Sequence, residues 1–157
     1  MTHTVVLSGN PRPGSRTLKL ASAVGAAISA EPPLIIDVAD LGPGLLAPGD
    51  PATTAALAAV REAKLLVVAT PTYKGSYTGV LKVLLDQLPA GALAGVTAVP
   101  VVTAGLQPQA DGAESFLRHL LTELGATVAP GLTATEPELA DIAGVAGRYA
   151  GVTDAHR

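Results

Sequence analysis

Short, continuous apolar runs alternate along this chain with longer segments in which apolar residues recur every three or four positions. The continuous runs are typical of strands covered on both faces, and the longer segments are typical of amphipathic helices. This alternation predicts an α/β fold in which right-handed helical crossovers join parallel strands. The predicted strands are 4–7, 34–38, 65–69, 96–103 and 126–129.

Helix boundaries are indicated by capping patterns. Asp111 with Glu114, and Thr135 with Glu138, have the spacing of capping boxes, and they predict that helices begin at these positions. Gly125 is expected to end the helix that begins at Asp111. A first helix is predicted after Ser15, with apolar residues from Leu18 to Ile28 on one face, and two others are predicted at about 53–63 and 76–88.

Proline and glycine predict two irregular places. Pro100 lies inside the fourth predicted strand and has no N–H for the ladder, so we expect a local bulge in that strand. Residues 39–52 contain three glycines and three prolines without helical or strand periodicity. They predict a long, mobile loop.

Composition excludes several classes of function. The 157 residues predict one domain over 1–157, and the high apolar share (48%) against the low charged share (15%) favours self-association. A net charge of −3 without a basic run argues against nucleic acid or a membrane surface as a partner. The chain has no cysteine, no signal-peptide pattern and no apolar run of roughly 20 residues, so a cytoplasmic protein is expected.

The chain shows no pattern for metal or nucleophilic chemistry. His3, His119 and His156 are scattered, without a carboxylate or a second histidine at ligand spacing, and are expected to be surface residues without a metal. No serine lies in a G-x-S-x-G motif. We therefore predict no metal site and name no catalytic side chain.

The first candidate site is the loop between the first strand and the following helix. It reads Ser8-Gly9-Asn10-Pro11-Arg12-Pro13-Gly14-Ser15-Arg16-Thr17. Hydroxyls, arginines and turn residues before a helix N-terminus suit an anion, and a phosphate is the expected ligand. The alternative is an ordinary turn in which Ser15 caps the helix and Arg12 and Arg16 are solvated.

Two further loops follow strands whose carboxyl ends should meet the first loop. Residues 70–79 contain Tyr73 and Tyr77, although the chain has only three tyrosines, one phenylalanine and no tryptophan. Aromatic faces beside small residues and Lys74 suit a flat heteroaromatic ring such as an isoalloxazine. Simple packing or subunit contact of the tyrosines and a solvated Lys74 remain alternatives. The segment 103–105 is the third loop, unless it simply ends a strand.

These loops resemble those of the NADPH-dependent FMN reductases of flavodoxin-like fold, most closely the sulfonate-utilisation flavin reductases. The resemblance rests on Gly9-Asn10-Pro11-Arg12 with Ser15-Arg16-Thr17 and on residues 70–82, and it extends loosely from Val5 to about Glu136. It implies a three-layer sandwich whose five-stranded parallel sheet has the order 2-1-3-4-5, with helices on both faces. It also implies hydride transfer from NADPH to FMN and a flavin-dependent monooxygenase as a partner that receives reduced flavin.

The family's site residues carry over onto both loops. The segment that holds the FMN phosphate maps to Arg12, Ser15, Arg16 and Thr17, and the segment that lines the ring maps to Pro71, Thr72, Tyr73, Lys74, Gly75 and Ser76. Ser8, Thr103, Ala104 and Gly105 complete the predicted FMN-binding set. Residues 106–112 replace a glycine-rich run found in many members. Contacts to the nicotinamide are therefore not predicted there.

The resemblance also implies a subunit interface. An inserted tyrosine at the place of Tyr77 lies in a π-bulge of the following helix, at a tetramer interface, in the sulfonate-type reductases. The predicted helix 76–88 carries a wide apolar stripe. We therefore predict a homodimer or homotetramer with Tyr77, Leu81, Leu84 and Leu88 at its interface.

Two alternative functions share the predicted fold. One is an FMN-containing quinone or azo reductase, which the sequence does not separate from a flavin reductase. The other is a non-enzymatic FMN-binding electron carrier. Flavodoxins that act as carriers have strongly acidic docking surfaces, whereas this chain has mild net charge and two arginines in the first loop.

Overall fold

The computed structural model of the chain describes residues 3–155, without the side chains of residues 154 and 155. His156 lies outside the described residues. The strands are β1 Thr4–Ser8, β2 Leu34–Asp37, β3 Leu65–Pro71, β4 Thr97–Ala104, β5 Thr127–Val128 and β6 Leu132–Thr135. The α-helices are α1 Arg16–Ile28, α2 Pro51–Glu62, α3 Gly79–Leu85, α4 Gln107–Glu123 and α5 Ile142–Ala155. Two 3₁₀ segments cover Val38–Leu46 and Glu138–Asp141.

The strands form one parallel sheet in the order β2-β1-β3-β4-β5, and β6 also pairs with β4. β5 and β6 together occupy the fifth position, so the predicted order 2-1-3-4-5 is confirmed. One core cluster packs α2, α3 and α4 against the sheet, with Val60, Leu84 and Leu117 as members. The other packs α1 and α5, with Leu20 and Val145, and the chain is a three-layer sandwich.

The irregularity expected in β4 at Pro100 is found instead at the fifth position of the sheet, between β5 and β6. β4 stays in register with β3 from Leu65↔Thr97 to Pro71↔Thr103, so the prediction of a bulge inside β4 is wrong. The Ala98 carbonyl accepts a hydrogen bond from Ala129 N, so Pro100, two residues on, also faces the fifth position. Proline cannot donate there, and the fifth position is broken between β5 and β6 by the segment 129–131.

α4 begins four residues earlier than predicted. Asp111 lies inside the helix and accepts a hydrogen bond from Gln107 Nε2 at 2.7 Å, while Glu114 pairs with Arg118 at 2.6 Å. The capping box predicted at Asp111 is therefore wrong. Pro108 in the first turn explains the earlier start, because a proline there needs no N–H and has a helical φ.

The pattern at Thr135 forms half of a capping box. Glu138 Oε1 accepts hydrogen bonds from Thr135 N at 3.0 Å and from Thr135 Oγ1 at 2.9 Å. These two hydrogen bonds lower the pKa of Glu138. The structure that follows is first the 3₁₀ segment Glu138–Asp141 and then α5.

The predicted irregular loop 39–52 contains regular structure. Most of it belongs to the 3₁₀ segment Val38–Leu46, which bends at Gly42 with φ of 52°. Leu45 is buried, and Asp50 caps α2 by accepting a hydrogen bond from Thr53 N. The prediction missed this segment because its order depends on burial against α3 and not on a local period.

Tyr149 joins α5 to the segment between β5 and β6, because its hydroxyl donates a hydrogen bond to the Pro130 carbonyl. Burial raises the pKa of Tyr149 to about 12, although Arg118 acts in the opposite direction. Because the pKa is higher in the folded state than the reference value of about 10, this stabilisation is complete below about pH 10. It is lost as the pH rises through about 12.

We expect Tyr149→Phe to destabilise the protein by about 1 kcal/mol at neutral pH, because the Pro130 carbonyl loses its donor. Above pH 10 the difference from the unaltered protein should shrink. Urea unfolding at a series of pH values measures it, and Tyr73→Phe, at an exposed ring, is the matched control. A constant difference between the unaltered protein and Tyr149→Phe up to about pH 12 would contradict the linkage.

Candidate functional site

A cavity of about 320 Å³ lies beyond the carboxyl ends of β1, β3 and β4. This is the edge at which ligands bind in open parallel sheets. The cavity brings together the first loop, the second loop, the end of β4 and the segment after β6. Its lining residues are Asn10, Arg12, Ser15, Arg16, Thr17, Pro71, Tyr73, Thr103, Glu136 and Leu139.

Ser15 joins the first loop to α1. Its Oγ accepts a hydrogen bond from Leu18 N at 3.1 Å and caps the helix. The capping interpretation is therefore correct for Ser15, and it is compatible with an anion site. The first-turn amides of Arg16 and Thr17 have no preceding helical carbonyl to bind, and together with the helix dipole they favour a negative ligand.

Buried polar contacts hold the first loop against β4. Asn10 Nδ2 donates to Thr17 Oγ1 at 3.2 Å, and Thr17 Oγ1 lies 3.2 Å from Thr103 Oγ1. Arg12 N donates to Asn10 Oδ1 at 3.0 Å. Asn10 was not in the predicted set, although an asparagine two residues before a turn amide is a recognisable turn former.

A second support comes from the neighbouring strand. Asp37, the last residue of β2, accepts a hydrogen bond from Gly14 N at 3.1 Å. Gly14 has φ of 62°, which favours glycine at this position. Asp37 is not among the predicted site residues. Its position at the carboxyl end of the strand beside β1 is the sequence signal that could have identified it.

Ser8 lies beneath the first loop and not in the cavity lining. Its side chain is fully buried, and Oγ has no hydrogen-bond partner in the described part of the chain. Gly9 follows it and is held to β3 by a hydrogen bond from its N–H to the Ala69 carbonyl at 2.8 Å. Ser8 therefore forms part of the floor of the loop.

The second loop makes a tight turn beside the cavity. Tyr73 N donates to the Ser76 carbonyl at 3.0 Å, and Ser76 N donates to the Tyr73 carbonyl at 3.2 Å. Lys74 and Gly75 between them have φ of 53° and 81°, as in a type I′ turn. Lys74 is the one non-glycine residue among 3–155 with positive φ, and such strained residues often cluster at ligand sites.

The predicted ring-binding residues divide into two groups. Pro71 and Tyr73 line the cavity, and Tyr73 is 44% exposed. Thr72 does not line it, but its Oγ1 donates to the Thr103 carbonyl at 2.9 Å and holds the loop against β4. The turn residues Lys74, Gly75 and Ser76, and the residues Ala104 and Gly105 after Thr103, also lie outside the lining.

Thr78 connects the second loop to the first. Its Oγ1 donates to the Gly9 carbonyl at 2.6 Å and also accepts a hydrogen bond from Leu81 N at 3.2 Å. Thr78 is thus the N-cap of α3. Tyr77 precedes this cap, so the expectation of a π-bulge that contains Tyr77 is wrong.

Three of the four predicted interface residues are corrected by their burial. Leu81 and Leu84 are 0% exposed and Leu88 is 8% exposed in the single chain, where they pack in the core. Their side chains have no area left for a subunit contact. The 3₁₀ segment Val38–Leu46, α2 and the rest of this core cluster cover more of the apolar stripe than the sequence pattern indicated. Tyr77 is half-buried against the same core.

Glu136 and Leu139 are cavity residues that the sequence analysis did not assign to the site. Glu136 forms an ion pair with Arg16, with 2.6 Å between Oε2 and the guanidinium. Both residues follow β6 and lie far along the chain from the motif residues, so no local pattern identifies them. Their place in the site results from the pairing of β6 with β4.

Metal or membrane features are not found in the described structure. Residues 3–155 contain no group of three or more histidine, aspartate and glutamate side chains that is suited to hold a metal ion. Among the same residues, no helix is both long and apolar enough to cross a bilayer.

The fold and the site together define a flavodoxin-like α/β protein with a cavity lined by two arginines at the carboxyl edge of its sheet. The NADPH-dependent FMN reductase family matches residues 2–138. The chain belongs to this family, as the resemblance of its loops indicated. It is an oxidoreductase of the NAD(P)H:FMN type.

Individual relatives agree with this assignment. The chain is 37% identical over 146 residues to the NADH-dependent FMN reductase SfnF of Pseudomonas fluorescens (strain Pf0-1), covering 87% of this chain and 78% of the relative. It is 34% identical over 143 residues to an FMN reductase (NADPH) of Pseudomonas aeruginosa, covering 85% and 77%. The solved apo form of NADH:FMN oxidoreductase (EMOB) superposes with a TM-score of 0.79 at 29% identity, covering 97% and 90%.

The residues of the cavity fit FMN. Two arginines, a helix N-terminus and hydroxyls form a donor set suited to its phosphate, and the exposed ring of Tyr73 lies at the same cavity. When bound, FMN supplies the ring that takes a hydride from NAD(P)H. The chain supplies binding, orientation and the surrounding charge.

Proposed function

We propose that this chain binds FMN as a substrate, through its phosphate in the cavity, and supplies the reduced flavin to a partner monooxygenase. The observation that carries the proposal is the convergence of Arg12, Arg16 and the α1 N-terminus beside Tyr73 in one open cavity. A phosphate monoester carries roughly two negative charges near neutral pH, so two arginines match its charge.

The phosphate end is supported by the rigidity of the first loop. Asn10, Thr17 and Thr103 form a buried hydrogen-bonded chain, and Asp37 holds Gly14 from the other side. A loop held in this way keeps its amides and the α1 N-terminus oriented before the ligand arrives. Such preorganisation lowers the entropy cost of binding. We assign the phosphate to Arg12, Ser15, Arg16 and Thr17, with Ser8 as support beneath them.

The ring end is assigned to the second loop. Pro71 and Tyr73 provide apolar contact, and the turn 73–76 presents backbone amides and Lys74 at the edge of the site. Lys74 is suited to stabilise negative charge on a reduced ring. Thr72, Gly75, Ser76, Ala104 and Gly105 shape the surrounding backbone. Hydride transfer requires orientation and no proton-transferring side chain, so we assign no catalytic acid or base.

Release to a second protein is supported by exposure. Tyr73 is 44% exposed, and the side chains of Arg16 and Glu136 are each 54% exposed. A flavin held at such an open edge is accessible to NAD(P)H and free to leave. We place the protein in the cytoplasm, where NAD(P)H is available, and propose a homo-oligomer with Tyr77 at its contact.

Oxidation of NADPH and of NADH by the purified protein, with and without added FMN or riboflavin, tests the proposal. We expect the rate to rise with FMN concentration until it saturates, and flavin to be lost from the protein on gel filtration. Addition of a flavin-dependent monooxygenase should then couple the oxidation to product formation. A yellow protein whose rate is independent of added FMN would contradict the use of FMN as a substrate.

A further inference from the structure

The Arg16–Glu136 ion pair crosses the cavity that we assign to the FMN phosphate. Arg16 Nη2 lies 2.6 Å from Glu136 Oε2 and donates a hydrogen bond to Oε1 at 2.9 Å. Both side chains line the cavity. The Glu136 carboxylate is thus paired with the Arg16 guanidinium that we assign to the phosphate.

Glu136 is held at this place by its backbone. It directly follows β6, and its N–H donates to the Ala104 carbonyl at 3.0 Å, which continues the pairing with β4. Thr135 before it is bound by Glu138 through two hydrogen bonds. The backbone therefore keeps the Glu136 side chain at the cavity even when Arg16 turns to another partner.

The ion pair is easily exchanged. Both side chains are 54% exposed, and pairs of such exposure contribute little to stability. A phosphate with roughly two negative charges competes well for Arg16, but it then lies beside the displaced carboxylate. Arg12, by contrast, has no acidic partner within ion-pair distance in the described part of the chain, and it is available without exchange.

We propose that Glu136 is a specificity-determining residue that competes with the flavin phosphate for Arg16 and so weakens the binding of FMN relative to riboflavin. This inference rests on the proposed function, because it assumes that the cavity receives the phosphate. Its consequence is functional. A built-in competitor raises the rate at which FMN leaves, which suits an enzyme that hands its flavin to another protein.

The test compares Glu136→Gln with the unaltered protein by titration of flavin fluorescence with FMN and with riboflavin. Glutamine has the same shape and removes the charge, so Arg16 is released to the phosphate. We expect the Kd for FMN to fall about threefold to tenfold and the Kd for riboflavin to stay within about twofold. Stopped-flow dilution should show slower release of FMN from the variant.

Glu123→Gln is the matched control. It removes the same charge from an exposed side chain at the end of α4, which does not line the cavity and makes no contact that holds Glu136. Equal tightening by both variants would show a general charge effect and overturn the inference. Equal tightening of FMN and riboflavin, or no change, would also overturn it. If the unaltered protein binds neither flavin, the proposed function itself fails.

Discussion

Replacement of both Arg12 and Arg16 with alanine is expected to raise the Kd for FMN about a hundredfold and to leave the Kd for riboflavin nearly unchanged. Both guanidinium groups line the cavity beside the α1 N-terminus. A hydrogen bond to a charged group contributes about 1.5–3 kcal/mol. Because both arginines are exposed, we take the lower value, about tenfold for each.

Riboflavin is the comparison that makes the result specific. It has the same ring and ribityl chain as FMN and no phosphate, so it measures binding without the phosphate contacts. Titration of flavin fluorescence gives both dissociation constants. The residual affinity of the double variant for FMN should come from the amides of the first helical turn and from the ring contacts.

Arg61→Ala combined with Arg148→Ala is the charge-matched control. Both arginines are exposed, on α2 and α5, and neither lines the cavity. This control should change the Kd for FMN by less than about threefold, as expected for screened distant charges. A similar loss of FMN binding in both double variants would contradict a local phosphate site. A parallel loss of riboflavin binding in the cavity variant would show that the loop itself had collapsed.

Gly9→Ala is expected to destabilise the protein by about 1–3 kcal/mol, as overpacking of a close contact does. A Cβ at Gly9 would lie 2.6 Å from Leu81 Cβ and 3.1 Å from its Cγ. Leu81 Cβ is attached to the backbone of α3 and cannot rotate away. α3 must therefore shift away from β1, which also strains the hydrogen bond from Thr78 Oγ1 to the Gly9 carbonyl.

The same substitution at Gly112 is the control and should act in the opposite direction. Gly112 lies inside α4 with no atom within 4 Å of an added Cβ. Alanine there should stabilise the protein by roughly 0.5–1 kcal/mol. Urea unfolding of both variants measures the difference. If Gly9→Ala leaves the free energy of unfolding unchanged, α3 moves without loss of stability. That result would contradict the role of Gly9 as the contact between the two loops.

Most of the site residues that could be predicted are close neighbours in the sequence. Arg12, Ser15, Arg16 and Thr17 are neighbours in sequence, and a strand-to-helix connection places such neighbours at one ligand. Pro71, Tyr73 and Thr103 follow from the rule that strand carboxyl ends share an edge. Ala104 was predicted as a site residue but lies outside the lining, because it follows Thr103 on β4 and successive side chains of a strand point to opposite faces.

The errors occurred where tertiary contacts decided the structure. The helix predicted from residue 76 begins at Gly79, after Thr78, whose hydroxyl caps it and also donates to the Gly9 carbonyl. Leu81 and Leu84 belong to the wide apolar stripe that predicted a subunit interface, yet both are buried in the core of the single chain. The periodicity of apolar residues predicts which face of a helix is buried, but not whether the same chain or a second subunit covers that face.

By itself the sequence determined the α/β class, the places of the strands and the gathering of Arg12, Ser15, Arg16 and Thr17 in the first loop. Each of these depends on residues close together in the chain, through burial patterns, capping and charge. Only the tertiary structure decided that Asp37 supports Gly14 and that Glu136 faces Arg16. These contacts join strands β2 and β6 to a loop after β1, and the pairing of strands distant in sequence brings them together.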